Sequence, residues 1–239
     1  MVLDDIDEEA LHHEAGDLVQ ADDGSEGPVR LFAGDLRERL TITNLLSLTI
    51  DAFDRIDILV NAARQVLLTD PLAADDHSLD DLLEQNLMTA YRLSQAAARR
   101  MIRQGEGQDS DGCLGSIINL SSIAARRTHP ELLAYSVSAA ALDQMTRSMA
   151  VALAPRRIRV NAVAYGSIMS EGVKGMLKER EGLRAEILNH TPLARIASPA
   201  EVADAVQYLA SDASGFVTGQ VITVDGGRTL IDPAAVTAH

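Results

Sequence analysis

Residues 113–149 read CLGSIINLSSIAARRTHPELLAYSVSAAALDQMTRSM. The run Gly115–Leu120 is apolar and bounded by turn signals, the pattern of a strand buried on both faces of a parallel sheet. Ser121 and Ser122 follow at its carboxyl end, where open α/β sheets place their chemistry. After a loop, Tyr135 opens a long Ala-rich helix. Working outward, the same alternation recurs. Val2-Leu3, Val29–Ala33, Ile56–Asn61, Ile158–Val163 and Val221–Val224 read as strands. Leu40–Phe53, Leu79–Gln104 and a segment from Pro199 to about Leu209 read as helices. A weaker helical pattern runs over Ile6–Val19, and 20–28 and 104–112 read as polar loops. Strands alternating with helices predict a mostly parallel sheet covered on both faces, as one domain over 1–239. Residues 171–191 read as a mobile, charged, helical flap, and 232–239 as a frayed tail.

Composition narrows the function. A net charge of -14 argues against nucleic acid or an anionic membrane as partner. No apolar run approaches the ~18 residues that span a bilayer, and MVLDDIDEEA is acidic where a signal peptide is basic and then apolar. The single cysteine, Cys113, excludes an internal disulfide and a Cys-rich metal site, and a cytoplasmic setting is the simplest expectation. His12, His13, His77, His129 and His190 lack metal-ligand spacing, so no metal is expected.

Ser122 and Tyr135, 13 positions apart, resemble the core of the short-chain dehydrogenase/reductase family. Asn86, in EQNLMTAYRLSQ, matches the family's relay asparagine. The closing stretch Thr218–Gly227, TGQVITVDGG, is close to the family's terminal signature. The resemblance covers residues 5–231, approximately, and implies a three-layer Rossmann-like fold and an NAD(P)-dependent oxidoreductase site. Ser122, Tyr135 and Asn86 fall at its catalytic positions. Asp5, Asp35, Asn61, Ala63, Gly166, Ile168 and Ser170 fall at its cofactor positions.

The departures cluster on that site. The family's Tyr-x-x-x-Lys reads Tyr135-Ser136-Val137-Ser138-Ala139 here. An unperturbed phenol has a pKa near 10, so without the lysine's charge only about one part in a thousand is ionised at pH 7. Arg126 and Arg127 lie in the loop, and Arg147 is two turns too far along the helix. Family Asn and Gly positions after Asn61 hold Ala62 and Arg64, and the proline of the cofactor turn is Tyr165. No Gly-rich phosphate turn occurs near Asp5, where the family's second strand ends. The expectation is a sheet lacking the usual first strand, closed by Met1–Leu3 pairing beside Asp57–Asn61.

The resemblance therefore implies a catalytically defective subunit that binds no cofactor itself. It would assemble as a hetero-oligomer, a tetramer, with an active NAD-dependent paralogue. By analogy, the pair would oxidise a hydroxyacyl thioester such as 2-(hydroxybenzyl)succinyl-CoA. Contact would run through the helices of Asn86 and Tyr135, where Ala96, Ala97 and Ala98 allow close approach, and through the last strand. Two alternatives stay open: an active NAD(P)-dependent alcohol or 3-oxoacyl oxidoreductase, and a ligand-binding or regulatory module using the vacated cleft.

Overall fold

The computed structural model describes residues 1–19, 27–107 and 112–232. The strands are β1 (Val2–Asp5), β2 (Arg30–Ala33), β3 (Ile58–Asn61), β4 (Gly115–Ser122), β5 (Ile158–Tyr165) and β6 (Val221–Val224). The helices are α1 (Glu8–Ala15), α2 (Arg39–Phe53), α3 (Ser78–Leu83), α4 (Thr89–Gln104), α5 (Leu133–Leu153), α6 (Glu171–Glu179), α7 (Leu183–Asn189) and α8 (Pro199–Ala210). The anticipated strands and helices are present, with one interruption. The helix expected over 79–104 is broken by a π-helical turn, Glu84–Met88, where Thr89 Oγ1 donates to the Glu84 carbonyl.

Every strand pair is parallel. β4 and β5 form the centre because almost every side chain on them is buried. Their two faces meet different helices. Ile117 and Val160 pack with Ala98 and Met101 of α4 and Ala150 of α5. Ile118 and Val163 pack with Val202 and Leu209 of α8. Each such aliphatic burial contributes about 1.5–3 kcal/mol, which sandwiches the sheet between two helical layers. α8 starts cleanly because Ser198 and Glu201 form a capping box and Pro199 occupies the first turn.

Buried side-chain hydrogen bonds tie the elements of this core together. Asn61 Nδ2 donates to Asn119 Oδ1 (2.7 Å), and Asn119 Nδ2 donates to Thr146 Oγ1 (2.8 Å), tying β3 to β4 and β4 to α5. Arg159 Nη1 donates to the Leu209 carbonyl (2.9 Å) and to Ser214 Oγ (2.7 Å), fixing the end of α8 beneath β5.

One expectation fails. β1 does not pair with β3. It pairs with β2 in a two-stranded sheet, while β3–β4–β5–β6 forms a separate four-stranded sheet. The physical reason is side-chain seating. Val2 and Phe32 pack from one sheet, and Leu59 from the other, onto one cluster of Leu36, Ile42, Leu45 and Leu93. Bringing β1 to the ~4.8 Å spacing of paired strands would unseat those contacts. Ile58 and Val60 on β3 stay 49% and 38% exposed as a result. Among the described residues, no helix is long and apolar enough to cross a membrane. None of their His, Cys, Asp and Glu side chains form a group of three able to hold a metal ion.

Candidate active site

The carboxyl ends of β3, β4 and β5 converge with α5 and the π-helical turn. Ser122, Tyr135 and Asn86 line one cavity there, together with Asn61, Ala63, Arg64, Ser138 and Ala139. The three catalytic positions of the sequence analysis are thus brought together. Each is bonded in its own way. Ser122 Oγ accepts from the Ala124 amide (3.1 Å), so it caps the turn after β4. Tyr135 is 5% exposed, and its hydroxyl has no hydrogen-bond partner among the described residues. Asn86 Oδ1 accepts from the Gln65 amide (2.8 Å), and its Nδ2 donates to the Gln65 carbonyl (2.9 Å). Those two bonds clamp the segment that carries Arg64.

Arg64 decides the geometry of the cleft. Its guanidinium carbon lies 4.2 Å from the centroid of the Tyr165 ring and 5.5 Å from that of Tyr135. Cation–π attraction holds such an arrangement, more strongly where water is excluded. Nη1 also reaches the Ser121 carbonyl at 3.4 Å. Tyr165 stands beside Ser122 in the β4–β5 ladder. Burial pushes the Tyr165 phenol above its ordinary value, while the Arg64 charge works against that rise and Tyr135 adds to it. The cavity that Tyr135 and Arg64 line is about 20 Å³. That is roughly room for one water, against ~300–1,000 Å³ for an ordinary small-molecule site. A cavity of that size does not hold a nicotinamide ring.

No lysine replaces the missing cation. Ala139 is buried and its carbonyl faces Ser121 Oγ at 3.5 Å. The three arginines weighed on sequence grounds sit elsewhere: Arg126 beside Thr223, Arg127 on the Thr229 carbonyl, Arg147 on Gln144. The cation nearest the phenol is Arg64, which spacing along α5 could not indicate. The available signal was a pair of enlargements, Gly to Arg after β3 and Pro to Tyr after β5, on the two strands that flank β4. Sequence reasoning also missed Asp143. It is 4% exposed and accepts from Ser121 Oγ at 2.6 Å. Burial raises its carboxyl, against smaller opposing effects of Ser121, Arg147 and Arg126.

The positions matched to cofactor binding are dispersed. Asn61 also donates to Ser94 Oγ (2.9 Å), tying β3 to α4 as well as to β4. Ala63 lines the cleft. Asp5 ends β1 and accepts from the Asp7 amide. Asp35 is paired with Arg37 at 2.6 Å, and the Arg37 hydrogen bond holds its carboxyl below the usual range. Gly166 donates to the Val224 carbonyl, Ile168 bridges to Ala197, and Ser170 Oγ caps α6.

The family model described as enoyl-(acyl carrier protein) reductase matches residues 1–229. The chain belongs to the short-chain dehydrogenase/reductase family. A 3-oxoacyl-(acyl-carrier-protein) reductase of Thermotoga maritima is 34% identical over 233 residues, covering 96% of this chain and 87% of that protein. A 7alpha-hydroxysteroid dehydrogenase of Clostridium sardiniense is 34% identical over 229 residues, covering 94% and 83%. Among solved structures, a gluconate 5-dehydrogenase from Burkholderia cenocepacia in complex with NADP and tartrate superposes with a TM-score of 0.83 at 27% identity, over 97% of this chain and 86% of that one. A 7 alpha-hydroxysteroid dehydrogenase complexed with NADH gives 0.81 at 28%, over 95% and 83%. These family members are oxidoreductases by name, and the last two structures hold a nicotinamide cofactor.

Proposed function

We propose that this chain is a family member without redox activity of its own, which assembles with a catalytically intact relative. The observation that carries this reading is Arg64 lying over Tyr135 and Tyr165 while Ala139 stands at the lysine position. A site with no lysine beside the phenol and only about 20 Å³ of free volume lacks what hydride transfer to or from an alcohol needs. The scaffold is meanwhile intact. Leu133, Val137 and Val151 form an exposed apolar stripe along α5, and Tyr91 is exposed on α4. These suit helix-to-helix association. Ala97 and Ala98 do not contribute, because both are buried in this chain's own interior. Half-buried β6 ends the four-stranded sheet and offers a second contact edge. The intact partner would supply the NAD site, and by analogy alone a hydroxyacyl thioester such as 2-(hydroxybenzyl)succinyl-CoA would be its substrate.

The test is affinity purification of the tagged chain from its native host, with mass spectrometry and an NAD(P)H-linked assay. The reading expects a stoichiometric short-chain dehydrogenase/reductase with an intact Tyr-x-x-x-Lys. A homo-oligomer that turns over NAD(P)H by itself would refute it.

A second reading, an active NAD(P)-dependent oxidoreductase, draws on the same arginine. Arg64 places a positive charge near the Tyr135 ring, as the absent lysine would. If that charge activates the phenol, Arg64→Lys retains turnover and Arg64→Ala abolishes it, with the pH–rate profile moving between the two.

A further inference from the structure

A second and much larger cavity, about 570 Å³, lies at the carboxyl end of β6 and shares no lining residue with the Tyr135 cleft. That volume falls within the ordinary range for a small-molecule site. Its walls are two segments locked together. One is the turn Thr191–Arg195, in which the Ala194 amide donates to the Thr191 carbonyl (2.7 Å). The other runs from Thr223 to Leu230. The Leu193 amide crosses to the Gly226 carbonyl at 3.1 Å.

Only glycine permits this approach. Gly226 and Gly227 have φ of +63° and +87°. A Cβ on Gly226 would meet Thr191 Cγ2 at 2.7 Å, and one on Gly227 would meet Pro192 Cγ at 3.0 Å. Ala194 itself holds φ +52°, which disfavours a residue with a side chain. Backbone strain of this kind clusters at ligand clamps. The cavity is therefore preformed by its own turn, with no rearrangement needed to create it.

Its lining is amphiphilic. Leu193 and Leu230 are 63% and 86% exposed, and with Pro192 they offer apolar surface left uncovered among the described residues. Charge comes from Arg126, whose Nη1 touches Thr223 Oγ1 at 3.5 Å. Among the described residues Arg126 makes no ion pair. The other charged groups in the wall are already matched. Arg195 is bidentate on Glu201 (2.5 and 2.7 Å), and that bond takes the Glu201 carboxyl down to about 2, so the pair persists through the ordinary pH range. Asp225 turns its oxygens to the Gly227 and Thr229 amides (2.9 and 2.8 Å). In a chain of net charge -14, a cation with no ion pair among the described residues, set beside exposed leucines, selects a particular ligand chemistry.

We propose that this cavity binds a small organic anion, a carboxylate or phosphate monoester on an apolar body, with Arg126 receiving the anionic head and Leu193 and Leu230 the body. The site stands whether or not the chain has redox activity.

The test is calorimetric titration of the whole chain with octanoate, phenyl phosphate and 1-octanol. Octanoate or phenyl phosphate binds at least about tenfold more tightly than octanol, and the tighter of the two identifies the head group. Arg126→Gln, an exposed position whose fold is checked by circular dichroism, lowers anion affinity at least about tenfold. Leu193→Asp lowers it as well, and Arg64→Gly leaves it unchanged. Equal affinity for octanol and both anions, anion binding indifferent to Arg126→Gln, or no binding of either anion would overturn the proposal.

Discussion

Arg64 and Tyr165 are stacked, guanidinium on ring, at 4.2 Å. Both residues stand where the family has small or rigid ones, and they come from the ends of different strands, β3 and β5, on either side of β4. Arg64 and Tyr135 both line the cleft, Tyr165 stacks on the arginine, and the Asn86 clamp on Gln65 holds the neighbouring backbone in place.

Removing the arginine should therefore change a tyrosine titration. Burial already holds the Tyr165 phenol above its ordinary value, and the Arg64 charge offsets part of that rise. Arg64→Ala should move the highest-titrating tyrosine upward in an absorbance titration near 295 nm. The sign for stability follows. A phenol whose folded pKa is raised contributes fully below the unfolded value of about 10 and loses that contribution as pH rises beyond it. A downward movement on Arg64→Ala would contradict the stacking.

Ala139→Lys restores the family's residue but not its surroundings. The new ammonium would enter a buried site beside Arg64, a like charge, in a cavity of about 20 Å³. The single variant should show no NAD(P)H-dependent turnover. Activity from that change alone, measured at 340 nm on alcohol and 3-oxoacyl substrates, would favour the active reading.

The sheet and its helices were legible because β4, β5 and β6 are largely apolar runs, and because α1, α6 and α8 begin at capping residues, Asp7, Ser170 and Ser198. What was illegible depends on long-range seating. Val2 and Leu59 share one side-chain cluster from two different sheets, so the strand spacing is set by Leu36, Ile42, Leu45 and Leu93 rather than by the strands' own pattern. The π-helical turn at Glu84–Met88 breaks a stretch that has no glycine or proline to announce it. At the site, the sequence showed that Arg64 was out of place. It could not show which way a long, flexible side chain points, since the rings that attract it are about 70 and 100 residues away along the chain.

Asp143 offers a pH handle. Burial raises its carboxyl above 3.8. In the folded state the charged form is disfavoured, so the contribution of this group to stability falls as pH rises from about 4 through the raised value. Asp143→Asn keeps an acceptor for Ser121 Oγ and removes the charge. It should be more stable than wild type at pH 7, and its denaturant midpoint should vary less between pH 4 and 7. A variant less stable at pH 7 than at pH 4, by as much as wild type, would contradict this.

Arg159 is a structural group, not a ligand contact. Its guanidinium serves the Leu209 carbonyl and Ser214 Oγ, with a longer reach of 3.3 Å to the Ser211 carbonyl. Arg159→Ala would remove these charge-assisted bonds from the end of α8, at about 1.5–3 kcal/mol, while the Leu209 carbonyl keeps Ser116 Oγ and Ser214 Oγ. A urea midpoint lowered accordingly, with the parent slope, is the expected result. A shift under about 0.5 kcal/mol would show that the end of α8 is held by something else.

The closed cleft is tested most directly by calorimetric titration of the isolated chain with NADH and with NADPH. With Arg64 between Tyr135 and Tyr165, neither should show saturable heat up to about 1 mM. A micromolar dissociation constant for either nucleotide on the chain alone would contradict the account.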